Sequence, residues 1–276
     1  HKAVMYFFFF FTMPSERIIN MHTHIFPVKI ADKAVGAIGD FYDIKMEIKG
    51  TPEYILEDGK TIGVEKYLVS STATTAHQVQ SINNFIAEQQ ASHPEFIGYG
   101  SIHPDFEDIP GEIDRIISLG LHGIKLHPDF QKFNIDDESA YPIYEAAQGR
   151  LPILFHTGDN RYDFSKPKRL YNIVEKFPKL ITTAAHLGGY RCWEEAQIYF
   201  GHPRVYIDTS SALMFVSPED ASKIIHAHGV DHVFFGTDSP MWCHKDEMER
   251  FNKLDITADE RRMILSDNAL KFFGLS

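Results

Sequence analysis

Arg17-Ile18-Ile19-Asn20-Met21-His22-Thr23-His24 is an apolar run that ends in two histidines one residue apart. In a strand, residues i and i+2 point to the same side, so both imidazoles aim at one spot. Inward-facing Asn20, His22 and His24 then alternate with Ile19 and Met21, which face the other way and can pack under helices. Such a pair gains chemical meaning when distant strands bring further ligands to the same place. The later strands therefore decide what this one is for.

Seven more strand-like runs follow, at residues 64–71, 96–103, 123–128, 152–158, 180–186, 205–209 and 232–238. Helical patterns at 76–92, 112–118, 138–149, 168–176, 193–200 and 218–228 separate most of them, and two more, at 247–254 and 258–273, close the chain. Residues 25–63 read as irregular apart from a short helix at 52–58 stopped by Gly59, long enough to form a lid or a wall. Eight strands alternating with helices predict an α/β fold, a single (β/α)8 TIM barrel over residues 13–276. The length of 276 residues suits a barrel of about 250. An open doubly wound sheet fits less well, because no Gly-x-Gly-x-x-Gly follows the first strand.

The start of the chain stands apart. Residues 3–11 are apolar, end in five phenylalanines and follow Lys2. The run is too short to span a bilayer and has no small-residue cleavage site, so residues 1–12 read as an added or disordered extension before a start at Met13. With 27 Lys plus Arg against 38 Asp plus Glu, the net charge of -11 argues against nucleic acid as a general partner. Neither a membrane nor a nucleic acid is expected, and a small molecule is. Two cysteines, Cys192 and Cys243, fit a reducing compartment, so a cytoplasmic location is expected.

Catalytic groups of such barrels come from the C-terminal ends of the strands. Those ends are His24, Ser71, His103, His127, His156, His186, Asp208 and Asp238, five histidines and two aspartates. His22, His24, His156 and Asp238 make a coherent ligand set for one divalent transition metal, zinc first, with manganese, cobalt or iron as alternatives. An apolar strand ending in Asp238 needs its charge paired, hydrogen-bonded or metal-bound. His186 faces the same cavity as a further ligand, an electrophile or a general acid. His103 and His127 precede prolines and can equally just end their strands, while Asp208, before Thr-Ser-Ser, reads as a cap. Lys125 could bind a substrate carboxylate, bridge two metals after carbamylation or pair with an acid, and an electrostatic role is favoured. Arg161 and Arg191 are candidates for an anionic substrate. Trp242 and Phe26 could line the pocket.

Met21-His-Thr-His24, Phe155-His-Thr-Gly158, Ala185-His-Leu-Gly-Gly189 and Gly236-Thr-Asp-Ser-Pro240 together resemble the amidohydrolase superfamily, in its branch with aminocarboxymuconate-semialdehyde decarboxylase. The resemblance runs from the first strand to the eighth. It implies one catalytic metal on His22, His24, His156 and Asp238, with His186 as acid or electrophile and Asp238 as proton acceptor. It implies a hydrolase that turns a metal-activated water on an ester, lactone or amide of a small carboxylated substrate. The alternative on the same scaffold is a non-oxidative decarboxylase. Members of the branch are often homodimers.

Overall fold

The computed structural model describes residues 16–46 and 48–276, and the extension read over 1–12 lies outside them. Its strands are β1 (Ile18–His24), β2 (Val64–Ser70), β3 (Phe96–Ser101), β4 (Gly123–Leu126), β5 (Ile153–Phe155), β6 (Thr182–Ala184), β7 (Val205–Asp208) and β8 (Val233–Phe234). All neighbours pair in parallel, in chain order. The segment after β8 returns to β1: Met21 N–H donates to the Phe235 carbonyl (2.8 Å), Asp238 N–H to that of His22 (2.8 Å) and His24 N–H to that of Ser239 (2.7 Å). The sheet therefore closes into the expected (β/α)8 barrel.

Outward strand residues such as Ile124, Leu126, Ile153 and Phe155 pack against helical stripes such as Ile109, Ile113 and Ile116. That spacing of four and three residues is one face of a helix. The barrel interior is a separate, smaller cluster. There Ile19 and Met21 meet Leu68, Tyr99, Leu154 and Phe234, and Phe273 of the last helix stands edge-on to Tyr99 beneath them.

This arrangement corrects the alternation read in β1. Ile19 and Met21 point inward, whereas Asn20 turns out to Thr237 and His244, at 2.8 and 2.9 Å. The register of β1 on β2 slips between Asn20 and Thr23, and a bulge of this kind exchanges the two faces of a strand. His22 and His24 face inward because of that slip. Asn20 still serves the site, since its Oδ1 accepts the N–H groups of His22 (3.1 Å) and Thr237 (3.2 Å).

Among the described residues of 25–63, the expected short helix is present and a longer one precedes it. In chain order these are α1 (Val28–Tyr42) and α2 (Pro52–Lys60), the second capped by Thr51 and running one residue past Gly59. The apolar residues of the first form two stripes rather than one, which blurs the periodicity that marks a helix in sequence. Strand eight is also shorter than read: Asp238 lies four residues beyond β8, at φ 59°. Gly236 lets the chain pass close to His22, where an added Cβ would lie 2.9 Å from that of His22.

Helix His244–Phe251 carries one buried acid, Glu247. Burial pushes its pKa up to about 8, although Arg250 donates to it. The unfolded chain releases this proton near pH 4.3, so the native state holds it longer, and stability from this group falls as pH rises from about 4.5 to about 8. Glu247→Gln is expected to remove that fall. Thermal unfolding at pH 5 and pH 8 checks it: the variant should gain on the wild type at pH 8 and not at pH 5.

Candidate active site

A cavity of about 670 Å3 opens at the C-terminal ends of the strands, with His22, His24, Lys125, His186 and Asp238 among its lining residues. β1 supplies both histidines of the pair. Asp238 comes to them because the chain after β8 closes on β1. Its Oδ1 lies 3.0 Å from His24 Nε2 and 3.3 Å from His22 Nε2, and its Oδ2 accepts from Ser211 Oγ. His22, His24 and Asp238 bring three donor atoms within 4.8 Å of one another. Burial, with the positive charge of Lys125, lowers the pKa of His22 and keeps that imidazole neutral, the form that ligates. Asp238 is held well below the usual carboxylate range: burial raises it, but His22, His24 and His186 outweigh that. Two imidazoles and one carboxylate are the donor chemistry of a divalent transition metal, so the trio fits one.

Lys125 on β4 is fully buried and puts Nζ 3.3 Å from His22 Nε2. Burial lowers its pKa to about 8, against the pull of Asp238 and Asp208. A positive charge already stands beside the lone pair that a metal ion would take.

Asp208, read from the sequence as a cap, does more. It does accept the N–H of Ser210, at 3.0 Å, but its Oδ2 also accepts from His22 Nδ1 at 2.9 Å. Proximity to His22 and His186 holds Asp208 ionised against its complete burial. The hydrogen bond fixes the His22 tautomer with its proton on Nδ1 and Nε2 free to ligate. The clue was present in the sequence, since Asp208 ends a strand as the histidines do. Asp208→Asn is expected to weaken metal binding about 10- to 100-fold with the fold intact. Competition with a metal indicator, beside circular dichroism, checks it.

His156 and His186 face each other, with Nδ1 of the first 2.9 Å from Nε2 of the second. Their outer nitrogens meet carbonyls, His156 Nε2 that of Gly158 and His186 Nδ1 that of Ser210, both at 2.9 Å. Carbonyls only accept, so both outer nitrogens carry protons, and the inner contact is a hydrogen bond only when a third proton lies between the rings. Burial pushes both pKa values down, that of His186 to about 4. A proton placed there is therefore readily given up. His156, placed with the metal ligands on sequence grounds, has both nitrogens engaged outside the trio. His127 stacks on His156 with centroids 4.0 Å apart, and Tyr42 of α1 lies 2.9 Å from its Nε2.

Among the residues read as substrate-binding, Lys125 lines the cavity; Arg161, Arg191 and Trp242 do not. Arg161 is spent on Asp159 through two hydrogen bonds and on the Phe41 carbonyl at 2.7 Å, clamping the end of α1. The Arg191 guanidinium lies over the Phe215 ring, 3.6 Å from its centroid. Trp242 donates to Ser211 Oγ at 2.8 Å, behind Asp238. Phe26 does line the cavity. Loop residues of this kind are placed by contacts distant in sequence, and residue type carries no signal of them.

Comparison with known proteins agrees with this architecture. A family model described as Amidohydrolase matches residues 19–275. The 2-amino-3-carboxymuconate-6-semialdehyde decarboxylase of Dictyostelium discoideum is 26% identical over 239 residues, covering 71% of this chain and 66% of its own length. Two solved structures share the fold at lower identity. The 5-carboxyvanillate decarboxylase of Sphingomonas paucimobilis superposes with a TM-score of 0.74 and 17% identity, over 95% of this chain and 100% of that one. The dihydroxybenzoic acid decarboxylase of Polaromonas sp. JS666, with bound manganese and 2-nitroresorcinol, has a TM-score of 0.73 and 17% identity, over 94% and 97%. Among the described residues, no helix is long and apolar enough to cross a membrane.

Proposed function

This chain belongs to the amidohydrolase family, and from that premise we propose that it is a metal-dependent, non-oxidative decarboxylase of a small carboxylic acid. The observation that carries decarboxylation over the hydrolysis read from the sequence is the nature of the relatives. The Dictyostelium protein and both structures are named for the removal of a carboxyl group, from a carboxymuconate semialdehyde, a carboxyvanillate and a dihydroxybenzoic acid. Hydrolysis becomes the reading to be excluded.

The site is suited to that reaction. His22, His24 and Asp238 would hold the divalent ion, with manganese favoured by the Polaromonas structure, and His156 joins them if it releases His186. When bound, such an ion supplies a Lewis acid that holds substrate oxygens and spreads negative charge. The remaining work falls to the chain. Lys125, fully buried, binds the anionic substrate and neutralises it. The apolar part of the cavity strips the hydration shell that stabilises a carboxylate more than the charge-dispersed transition state. As the bond to the carboxyl carbon breaks, its electron pair stays with the ring or alkene carbon, carbon dioxide leaves, and one proton is taken up at that carbon. His186 Nε2 delivers the proton, with Nδ1–H anchored on the Ser210 carbonyl.

The test is to supply the manganese-loaded protein with hydroxylated benzoic acids and unsaturated dicarboxylic acids in deuterium oxide. Carbon dioxide equal to the acid consumed, with one deuterium at the vacated carbon, supports the proposal. Lactones and esters are supplied in parallel, and their cleavage without carbon dioxide release from any of the acids would return the site to hydrolysis.

A further inference from the structure

α1 has two apolar stripes, and its own fold uses one of them. Ala31, Val35 and Gly39 recur every four residues and are buried, with Met46 close to Gly39 and with Val35 and Phe26 both close to Gly50. Ile30, Ala34, Ala37, Ile38 and Phe41, at i, i+4, i+7, i+8 and i+11, form a second stripe and line the cavity. Ile30 remains 50% exposed. Helix Val79–Ser92 contributes Ile82 and Phe85 to the same cavity. A helix needs one apolar stripe to dock on its domain, and a second stripe needs a second partner.

The cavity is continuous from these walls to His22, His24, Lys125 and Asp238, so the partner is what enters the site. A one-ring acid of about a dozen non-hydrogen atoms, at roughly 20 Å3 each, fills about a third of such a space at interior packing density. The cations of the wall leave the stripe intact: Lys33 is exposed, and Lys132 lies over the rings of Phe41 and Tyr162, 5.7 and 5.6 Å from their centroids.

We propose that the substrate is an amphipathic carboxylic acid whose apolar body, a second ring or an alkyl chain, extends beyond the reacting unit and lodges between α1 and helix Val79–Ser92. This rests on the carboxylate-processing reading of the site. It names what that reading leaves open, the size and polarity of the far end of the substrate. The stripe on α1 is then a specificity element, and with Ile82 and Phe85 it sets the length of apolar body that is accepted.

The experiment is calorimetric titration of the manganese-loaded protein with benzoate and its 4-methyl, 4-butyl and 4-octyl derivatives, in the wild type and in Ala37→Phe and Ile82→Asp. In the wild type each buried methylene is expected to tighten binding about two- to fourfold. Filling the chamber in Ala37→Phe, or making it polar in Ile82→Asp, should flatten the series beyond the methyl member. A flat series in the wild type overturns the proposal. So does a series equally steep in both folded variants, or a concentration-dependent dimer that Ala37→Phe abolishes and that excludes the acids. Carbon dioxide release from the 2,6-dihydroxy derivatives of the same acids separates the two readings: a steep series without turnover leaves the chamber assigned and removes the decarboxylase, whereas turnover with a flat series does the reverse.

Discussion

Replacing His186 by alanine is expected to lower kcat by about 10²- to 10⁴-fold, with the fold and the metal content unchanged. The ring sits between the two halves of the site. It stacks 5.2 Å from His22, meets His156 at 2.9 Å and holds its Nδ1 on Ser210. In the proposed reaction it gives the proton that replaces carbon dioxide, so its loss should fall on kcat and spare KM, which reports how Lys125 and the cavity walls bind substrate. The deuterium experiment gives a second readout, because a slowed protonation raises the solvent isotope effect. His186→Ala with kcat within threefold of wild type would remove the ring from the chemistry and leave it a support for His156 and Ser210.

Asp238→Asn is expected to empty the metal site and to lower activity by at least about 10²-fold. The carboxylate bridges His22 and His24, and it is the one anion within the trio. Asparagine is a fair replacement because position 238 lies at φ 59°, a left-handed conformation that asparagine tolerates nearly as well as aspartate. The substitution therefore removes charge and spares the backbone. The loss of negative charge also leaves buried Lys125 with Asp208 as its remaining nearby counter-charge. Elemental analysis of the purified variant, beside its thermal unfolding, checks the result. About one equivalent of metal retained in a folded Asp238→Asn would move the ion from this trio to another buried group, of which His127, Asp129 and His156 form one.

Much of the site was legible because barrels concentrate chemistry at strand ends and residue type shows there directly. His24, His127, His156, His186 and Asp238 all line the cavity, as positions near the ends of strands should. The legible part stopped at orientation. His156 and His22 are both histidines beside a strand end, yet one turns its nitrogens to His186 and Gly158 and the other to Asp208 and Asp238. Arg161 and Arg191 looked alike on paper, but an adjacent carboxylate captured one and an aromatic face the other. Such competition between partners leaves no trace in spacing.

By itself the sequence determined the eightfold alternation of strand and helix, since periodicity is a local property of the chain, and it determined which elements would carry histidine and aspartate to one end of the barrel. The tertiary structure decided three things that depend on distant contacts. A slipped register in β1 chose which face of that strand looks inward. Closure of the segment after β8 onto β1 brought Asp238 to His22 and His24. The folding of residues 28–42 into a helix with two apolar stripes built a wall over the site, because a stripe acquires its partner only when the whole chain is packed.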